Sequence, residues 1–308
     1  MTQKICIEDL ENIFNEKASA LIREKFKNLD FSYQQLDRKE RDSLFLTIIK
    51  TLKDDSVKKS GNHRINDWVA GWGQNRDEFL KTNKYESLIP KYFGKFPYVR
   101  WKQDFIKPTN KQFEYNMVKI LQYWIFEKYL SDVSNIYEFG CGTGHNLFRA
   151  SEVNPSASIT GLDWATSSQE IFKYINQTFN KNFNSHRFDF FNIDKDYKIL
   201  KNSGVFTFAA LEQVGNCHME FLEYLIKQSP QICVHIEPIA EMLNPDESFI
   251  DFLSVEYFKK RNYLDGLNKS LKTLESNNKI EIVHKQRSQI GSCFVDGYSI
   301  IVWRPKNA

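Results

Sequence analysis

Apolar residues recur at helical spacing through the first part of the chain. Ile5, Leu10, Ile13 and Phe14 form one such set, and Leu44, Ile48, Ile49 and Leu52 form another. Gly61 and the polar stretch 58–62 interrupt the pattern. The segment after it, Asn62-His-Arg-Ile-Asn-Asp-Trp-Val-Ala-Gly-Trp-Gly, mixes aromatic and polar residues densely. Pro90, Pro97 and Pro108 punctuate 88–110, which predicts irregular backbone there. From Gln112 to Leu130 the spacing predicts one helix with Phe113, Met117, Ile120, Leu121, Trp124 and Ile125 facing inward.

The rhythm changes at Asn135. Short apolar runs at Ile136–Phe139, Ser158–Asp163, His186–Phe190, Val205–Ala210 and Ile232–Glu237 predict strands. Helical patterns near 146, 167–178, 218–227 and 247–276 alternate with them. Two further strands, 279–288 and 298–303, close the chain. Strand–helix alternation implies a mainly parallel α/β sheet covered on both faces. Only about ten residues, with Asp296-Gly297, join the last two strands; a parallel crossover needs a dozen or more, so this pair is expected to be antiparallel. The chain therefore divides into a helical cap, 1–130, and an α/β domain, 131–308.

Composition narrows the class. With 13 Gly and 8 Pro in 308 residues, the chain carries about half the usual share of turn formers, which argues against a turn-rich all-β fold. Aromatic residues make up 15%, ample for a core. A net charge of +3 is well short of the clustered excess of a dedicated nucleic-acid binder. The five cysteines, at 6, 141, 217, 233 and 293, form no CxxC pair, as expected of a reduced, cytoplasmic compartment. The opening MTQKICIEDLENIF places acids where a signal peptide needs an apolar stretch, and no run approaches the 18 apolar residues of a membrane span. The His and acid spacings suggest no metal set.

Chemistry concentrates at Tyr137-Glu138-Phe139-Gly140-Cys141-Gly142-Thr143-Gly144-His145-Asn146, between a predicted strand and a predicted helix. Glycines at alternate positions let a ligand approach the backbone, and amides near the helix start suit a carboxylate. A dinucleotide loop needs G-x-G-x-x-G, and His145 stands at its last position; Glu138 would also repel a pyrophosphate. S-adenosylmethionine (SAM) has no phosphate, and its cationic ammonium and sulfonium suit an acid. Asp163, 19 residues beyond Gly144 at a strand end, is placed to take ribose hydroxyls, and Trp164 to lie against adenine. Asp189 and Phe190, at the end of the third strand, suit the adenine amino group and ring.

These residues resemble the class I SAM-dependent methyltransferases. Glu138-Phe-Gly-Cys-Gly-Thr-Gly144 is similar to the family's first motif, and Asp163 and Asp189 fall where its second and third motifs lie. The resemblance covers about 135–303. It implies a Rossmann-like seven-stranded sheet of order 3-2-1-4-5-7-6 with strand 7 antiparallel. It also implies SAM as cofactor and S-adenosylhomocysteine (SAH) as product, held by Glu138, Gly140, Gly142, Gly144, Asn146, Asp163, Trp164, Asp189 and Phe190.

After the fourth strand, the base-modifying members carry Asn/Asp-Pro-Pro-aromatic; Ala210-Leu211-Glu212-Gln213 does not match it, which weakens a nucleic-acid acceptor. It is closer to the Leu-Glu-His-like stretch of small-molecule enzymes, with Gln213 in place of His. Glu212, His218 and Glu237 are the candidate catalytic groups. His235 reads better as a packed strand residue. In the cap, Arg64, Trp68 and Trp72, with Arg100 and Trp101, are candidates for acceptor binding, since aromatics beside Arg suit a sugar, a ring or an anion. This region is faintly similar to methyltransferases of bacterial surface-polysaccharide synthesis. The expected activity is methyl transfer to oxygen or nitrogen of a small polar acceptor, sugar- or phosphate-bearing forms included. The runners-up are a protein or RNA acceptor, or a non-catalytic SAM-binding domain. Oligomeric state is not legible.

Overall fold

The computed structural model describes residues 1–306. In chain order the elements are β1 (Thr2–Lys4), α1 (Ile7–Phe14), α2 (Ala20–Lys27), β2 (Ser32–Gln35), α3 (Arg38–Lys53), α4 (Ile65–Thr82), β3 (Val99–Trp101), β4 (Asp104–Pro108), α5 (Phe113–Tyr129), β5 (Asn135–Phe139), α6 (Leu147–Val153) and β6 (Ser158–Asp163). They continue with α7 (Thr166–Phe179), β7 (Asn184–Arg187), β8 (Ser203–Phe208), α8 (Met219–Gln228), β9 (Ile232–Glu237), α9 (Phe249–Arg261), α10 (Leu267–Ser276), β10 (Ile280–Gln286), β11 (Ile290–Gly291) and β12 (Ser299–Pro305).

The larger sheet has seven strands in the order β7-β6-β5-β8-β9-β12-β10. The first five run parallel; β12 is antiparallel to both β9 and β10. Its central strands β8 and β9 are buried at every residue, so they read as continuous apolar runs rather than alternating ones. Helix α5 lies on one face. Nearly all of it, from Phe113 to Phe126, is buried, and Phe126 meets Phe206 of β8 at 4.7 Å between ring centroids. Each such fully buried side chain contributes roughly 1.5–3 kcal/mol, which makes α5 the brace between the sheet and the N-terminal region.

That region is not all helical. A second, five-stranded antiparallel sheet, β1-β2-β4-β3-β11, holds it together. The β3–β4 hairpin occupies part of the stretch expected to be irregular, and it turns at Lys102 and Gln103, both at positive φ. The fifth strand, β11, comes from the connection between β10 and β12. That connection leaves the large sheet, pairs Ile290 and Gly291 with Trp101 and Arg100, and returns. Only Gly fits at 291, because a Cβ there would stand 2.2 Å from the Val295 carbonyl oxygen. Two of its helices, α3 and α4, tie the region to the larger sheet's helices. Helix α3 opens with a reciprocal cap, Asp37 accepting from the Glu40 amide and Glu40 from the Asp37 amide. It packs Leu44 and Ile48 against Ile250, Leu253 and Tyr257 of α9. Helix α4 lies along α7, with Phe79 stacked on Phe179 and Ser167 Oγ donating to the Val69 carbonyl at 2.9 Å. Among the described residues no helix is long and apolar enough to cross a membrane.

Candidate functional site

A cavity of about 700 Å³ opens at the C-terminal ends of β5, β6 and β8, where open α/β sheets bind ligands. Its floor is Gly140, Cys141 and Gly142 with Ala209 and Ala210; Asp163, Trp164 and Phe190 form one side. Arg64, Trp68 and Trp72 of the N-terminal region line it too, and Tyr257, Arg261, Tyr263, Phe294 and Tyr298 complete its wall.

The glycine turn is built from left-handed backbone: φ is 77° at Gly140, 53° at Gly142 and 75° at Gly144. Each position is also crowded. A Cβ on Gly140 would lie 2.3 Å from Ala210 Cβ, one on Gly142 2.8 Å from Trp72 Cζ2, and one on Gly144 3.0 Å from the Phe172 ring. Most of the turn's amides are spent within the protein. Gly140 and Cys141 donate to the Leu162 carbonyl at 2.7 and 3.0 Å, Gly144 to Cys141 at 2.8 Å, and Gly142 to Asp163 Oδ2 at 2.8 Å. Asp163 also accepts the Ala165 amide at 2.8 Å. Burial pushes its carboxyl up to about 6, against those two donors. Trp164 stacks on Phe191 with centroids 5.8 Å apart.

Behind the turn lies a buried polar network. Asn146 donates to Glu138 Oε1 at 2.7 Å and accepts from Gln122 at 2.7 Å and Arg149 at 3.1 Å. Arg149 donates further to the Tyr85 and Tyr115 hydroxyls and the His145 carbonyl. Glu138 is wholly buried and its Oε2 has no partner; burial pushes it up to about 8. Tyr85, Tyr115, Gln122 and Arg149 carry no local motif. Only the fold brings α5 and the 85–88 turn against α6, so the sequence held no signal for them.

At the end of β8 the chain enters a tight turn, with Ala209 at φ 47°. Glu237 of β9 holds it, accepting the amides of Ala210, Leu211 and Glu212 at 3.1, 3.1 and 3.2 Å. Glu212 itself faces the cavity. Its Oε1 accepts from Gln213 Nε2 at 2.7 Å, and burial pushes its carboxyl up to about 7. Gln213 ties Glu212 to the N-terminal region, because Ser60 Oγ donates to its Oε1 at 3.0 Å.

Gly140, Gly142, Asn146, Asp163, Trp164, Phe190, Glu212, Arg64, Trp68 and Trp72 all line the cavity. Others among the candidates stand elsewhere. Glu138 and Gly144 do not line the cavity. Asp189 caps its own turn, accepting the Phe191 amide at 2.9 Å, so Phe190 and not Asp189 reaches the wall. His218, expected beside Glu212, points to α10, where its Nε2 meets Ser270 Oγ at 2.9 Å. Glu237 is fully buried under the β8 turn. Arg100 and Trp101 are corrected most clearly. Both belong to β3 of the small sheet and are 2% and 5% exposed; Arg100 donates to the Ile250 carbonyl at 2.9 Å, and neither residue is among those that line the cavity. His235 is a packed residue. The Trp303 indole N–H donates to its Nε2 at 2.9 Å, so its Nδ1 carries the proton toward Thr207 Oγ1, and burial depresses the ring to about 3. Sequence reasoning missed Tyr257, Arg261, Tyr263 and Tyr298 in the cavity wall, which sit in α9 and in the loops after α9 and before β12.

No protein-family model and no curated protein matches the chain. Solved structures do. The (4+2)-cyclase SpnF is similar with a TM-score of 0.51 at 12% identity, over 78% of this chain and 96% of that one. The N-methyltransferase NodS from Bradyrhizobium japonicum, solved with SAH, gives a TM-score of 0.47 at 11% identity over 77% and 100%. Human N-acetylserotonin methyltransferase, solved with SAM, gives 0.47 at 11% identity over 86% and 67%. Likeness at such identity concerns the fold and not the activity.

Proposed function

We propose that this chain is a SAM-dependent methyltransferase acting on an oxygen or nitrogen of a small polar acceptor, with 1–130 as the acceptor-binding cap and 131–308 as the cofactor domain. The observation that carries the reading is one continuous cavity running from the glycine turn and Asp163 to the Glu212 carboxyl. The residues fit the cofactor. Side chains are absent at Gly140 and Gly142 on the cavity floor, and Asp163 offers a buried carboxyl on its wall. Asp163 is assigned to the ribose hydroxyls, and Trp164 and Phe190 to the adenine ring.

When bound, SAM supplies a methyl group already activated on a sulfonium, so the protein's task is chiefly alignment, worth up to about 7–11 kcal/mol of barrier. Glu212 takes the proton of an acceptor hydroxyl or ammonium on a carboxylate oxygen. A carboxyl pushed to about 7 is near half ionised at neutral pH, the compromise a general base requires. Trp68, Trp72, Tyr257 and Tyr263 wall the cavity with ring surface and exclude water. A concave cavity of about 700 Å³ lined largely by rings favours a small acceptor over a polymer surface. Calorimetric titration with SAH tests the reading: one site per chain is expected, and absence of binding to the folded protein overturns it.

A further inference from the structure

Three hydrogen-bond donors in the cavity wall are buried and unpartnered: Arg64 Nη1, Arg261 Nε and the Trp68 indole Nε1. Burying a donor without an acceptor is costly, more so on a charged group. These three come from the start of α4 and the end of α9. Arg64 immediately precedes α4 and Trp68 is one turn into it; Arg261 is the last residue of α9. The segments are stitched together, the Ser60 amide donating to the Arg261 carbonyl at 2.7 Å and Asn262 Nδ2 to the Ser60 carbonyl at 3.2 Å.

The nearby carboxylates do not satisfy them. Asp67 accepts Arg64 Nε at 2.5 Å and Lys58 at 3.1 Å, leaving Nη1 free. Glu212 is taken up by Gln213, and its field acts on Arg261 without a hydrogen bond to Nε. Arg261 Nη1 reaches only the Tyr257 hydroxyl, at 3.3 Å, and its guanidinium lies 5.0 Å from the Tyr263 ring centre. Two guanidiniums held by ring stacking and lateral bonds, with donors still open, form a preorganised fork for an oxyanion. Lys58, which also lines the cavity, is already paired with Asp67 at 3.1 Å.

We infer that Arg64, Arg261 and the Trp68 indole N–H form an oxyanion site that holds a phosphate or carboxylate group of the acceptor. The assignment to the acceptor rests on the methyltransferase reading; the site itself does not. Its place beyond Glu212 sets the acceptor's length. The anionic group anchors at the cap end while the hydroxyl or amine to be modified lies by Glu212.

Calorimetry with inorganic phosphate and with acetate, each with and without saturating SAH, tests this on the full chain. At least one anion should bind, and which one does separates phosphate from carboxylate. Arg261→Gln and Arg64→Gln should each weaken that binding at least tenfold, and Trp68→Phe, which keeps the ring and deletes the N–H, several-fold. SAH affinity should stay within twofold of wild type in all three. Should the arginine variants fail to fold, Trp68→Phe carries the test alone. Failure of both anions to bind, or unchanged binding in the folded variants, overturns the proposal. Anion binding that depends on these residues in a protein that does not bind SAH keeps the oxyanion site and removes the cofactor reading.

Discussion

The Glu237 carboxylate accepts the backbone N–H of Glu212 at 3.2 Å, so one buried acid positions the other. Both were legible as acids at strand ends, but their tasks differ. Glu237 gathers three consecutive amides under the β8 turn, and that turn aims Glu212 into the cavity. The left-handed Ala209 at the start of the turn is held by this clamp. Glu237 is therefore a positioning residue, not the base.

Glu237→Gln keeps the shape but replaces one accepting oxygen by a donor facing amide N–H groups. Burial pushes this carboxyl up to about 8, so above that pH, where it is ionised, stability should fall by about 1.5–3 kcal/mol, the scale of a hydrogen bond to a charged group. Urea unfolding measures it. A drop under about 0.5 kcal/mol, within the range of ordinary surface substitutions, would show that the clamp is not formed.

Gly142→Val should abolish SAH binding while the protein stays folded. The position is left-handed at φ 53°, and a Cβ would press on Trp72 Cζ2 at 2.8 Å. Trp72→Ala in the same background relieves that contact but not the backbone strain. Calorimetry should show binding lost in Gly142→Val and not restored in the double variant; recovery would mean that the ring contact alone was at fault.

Ligand-free stability should fall as pH rises from about 6.5 to about 8. Burial raises Glu114 and Glu212 to about 7 and Glu138 and Glu237 to about 8, so across this window the folded chain holds protons that the unfolded chain has released. Below about 6.5 the opposing term enters. His145, His218 and His235 are depressed by burial and stay neutral when folded, while the unfolded chain protonates them. These three imidazoles offset most of the carboxyl effect there, so the fall with rising pH is shallow below about 6.5 and steeper above it. Denaturant midpoints measured across pH test this; a midpoint that climbs steadily to about pH 8 would refute it.

Legibility followed the range of the interactions. Strands β6 and β9 and helix α5 were readable to within a residue or two, because local apolar runs and helical spacing determine them. The glycine turn was readable because three alternate glycines serve backbone geometry that other residues resist. The small sheet was not. Its strands are two to five residues long, and β11 comes from residues nearly two hundred positions from β3, so no window of sequence carries the pairing. That sheet is also why Arg100 and Trp101 left the candidate site: a polar-aromatic cluster reads alike whether it lines a cleft or packs a hairpin. Arg261 and Tyr263, which took their place, sit in a stretch read only as helix.

Asp163→Ala should weaken SAH binding at least tenfold, on the assignment of this carboxyl to two ribose hydroxyls. It should also destabilise the ligand-free protein, because the same carboxyl already accepts the Gly142 and Ala165 amides, at 2.8 Å each. The two effects separate with Asp163→Asn, which keeps an acceptor oxygen for one amide: more of the stability should return than of the affinity. Parallel calorimetry and thermal unfolding measure both. Full affinity in either folded variant removes Asp163 from the cofactor site.

Glu212 should govern the pH dependence of turnover. Its carboxyl is pushed to about 7 by burial, with Arg261 and the Gln213 and Tyr263 side chains working against that rise. Below that pH it is protonated and cannot accept a proton; above it, it can. For a hydroxyl acceptor kcat should therefore rise tenfold per pH unit on the acid side and level off above about 7. Glu212→Gln should remove this limb and lower kcat by roughly 10²–10⁴-fold with little change in SAH affinity. Arg261→Gln removes a cation whose field favours the ionised form, so the limb should move to higher pH while its slope is retained. That displacement is a readout that loss of packing would not produce. A pH profile that is flat in wild type, or unmoved in Arg261→Gln, assigns the proton to a group other than Glu212.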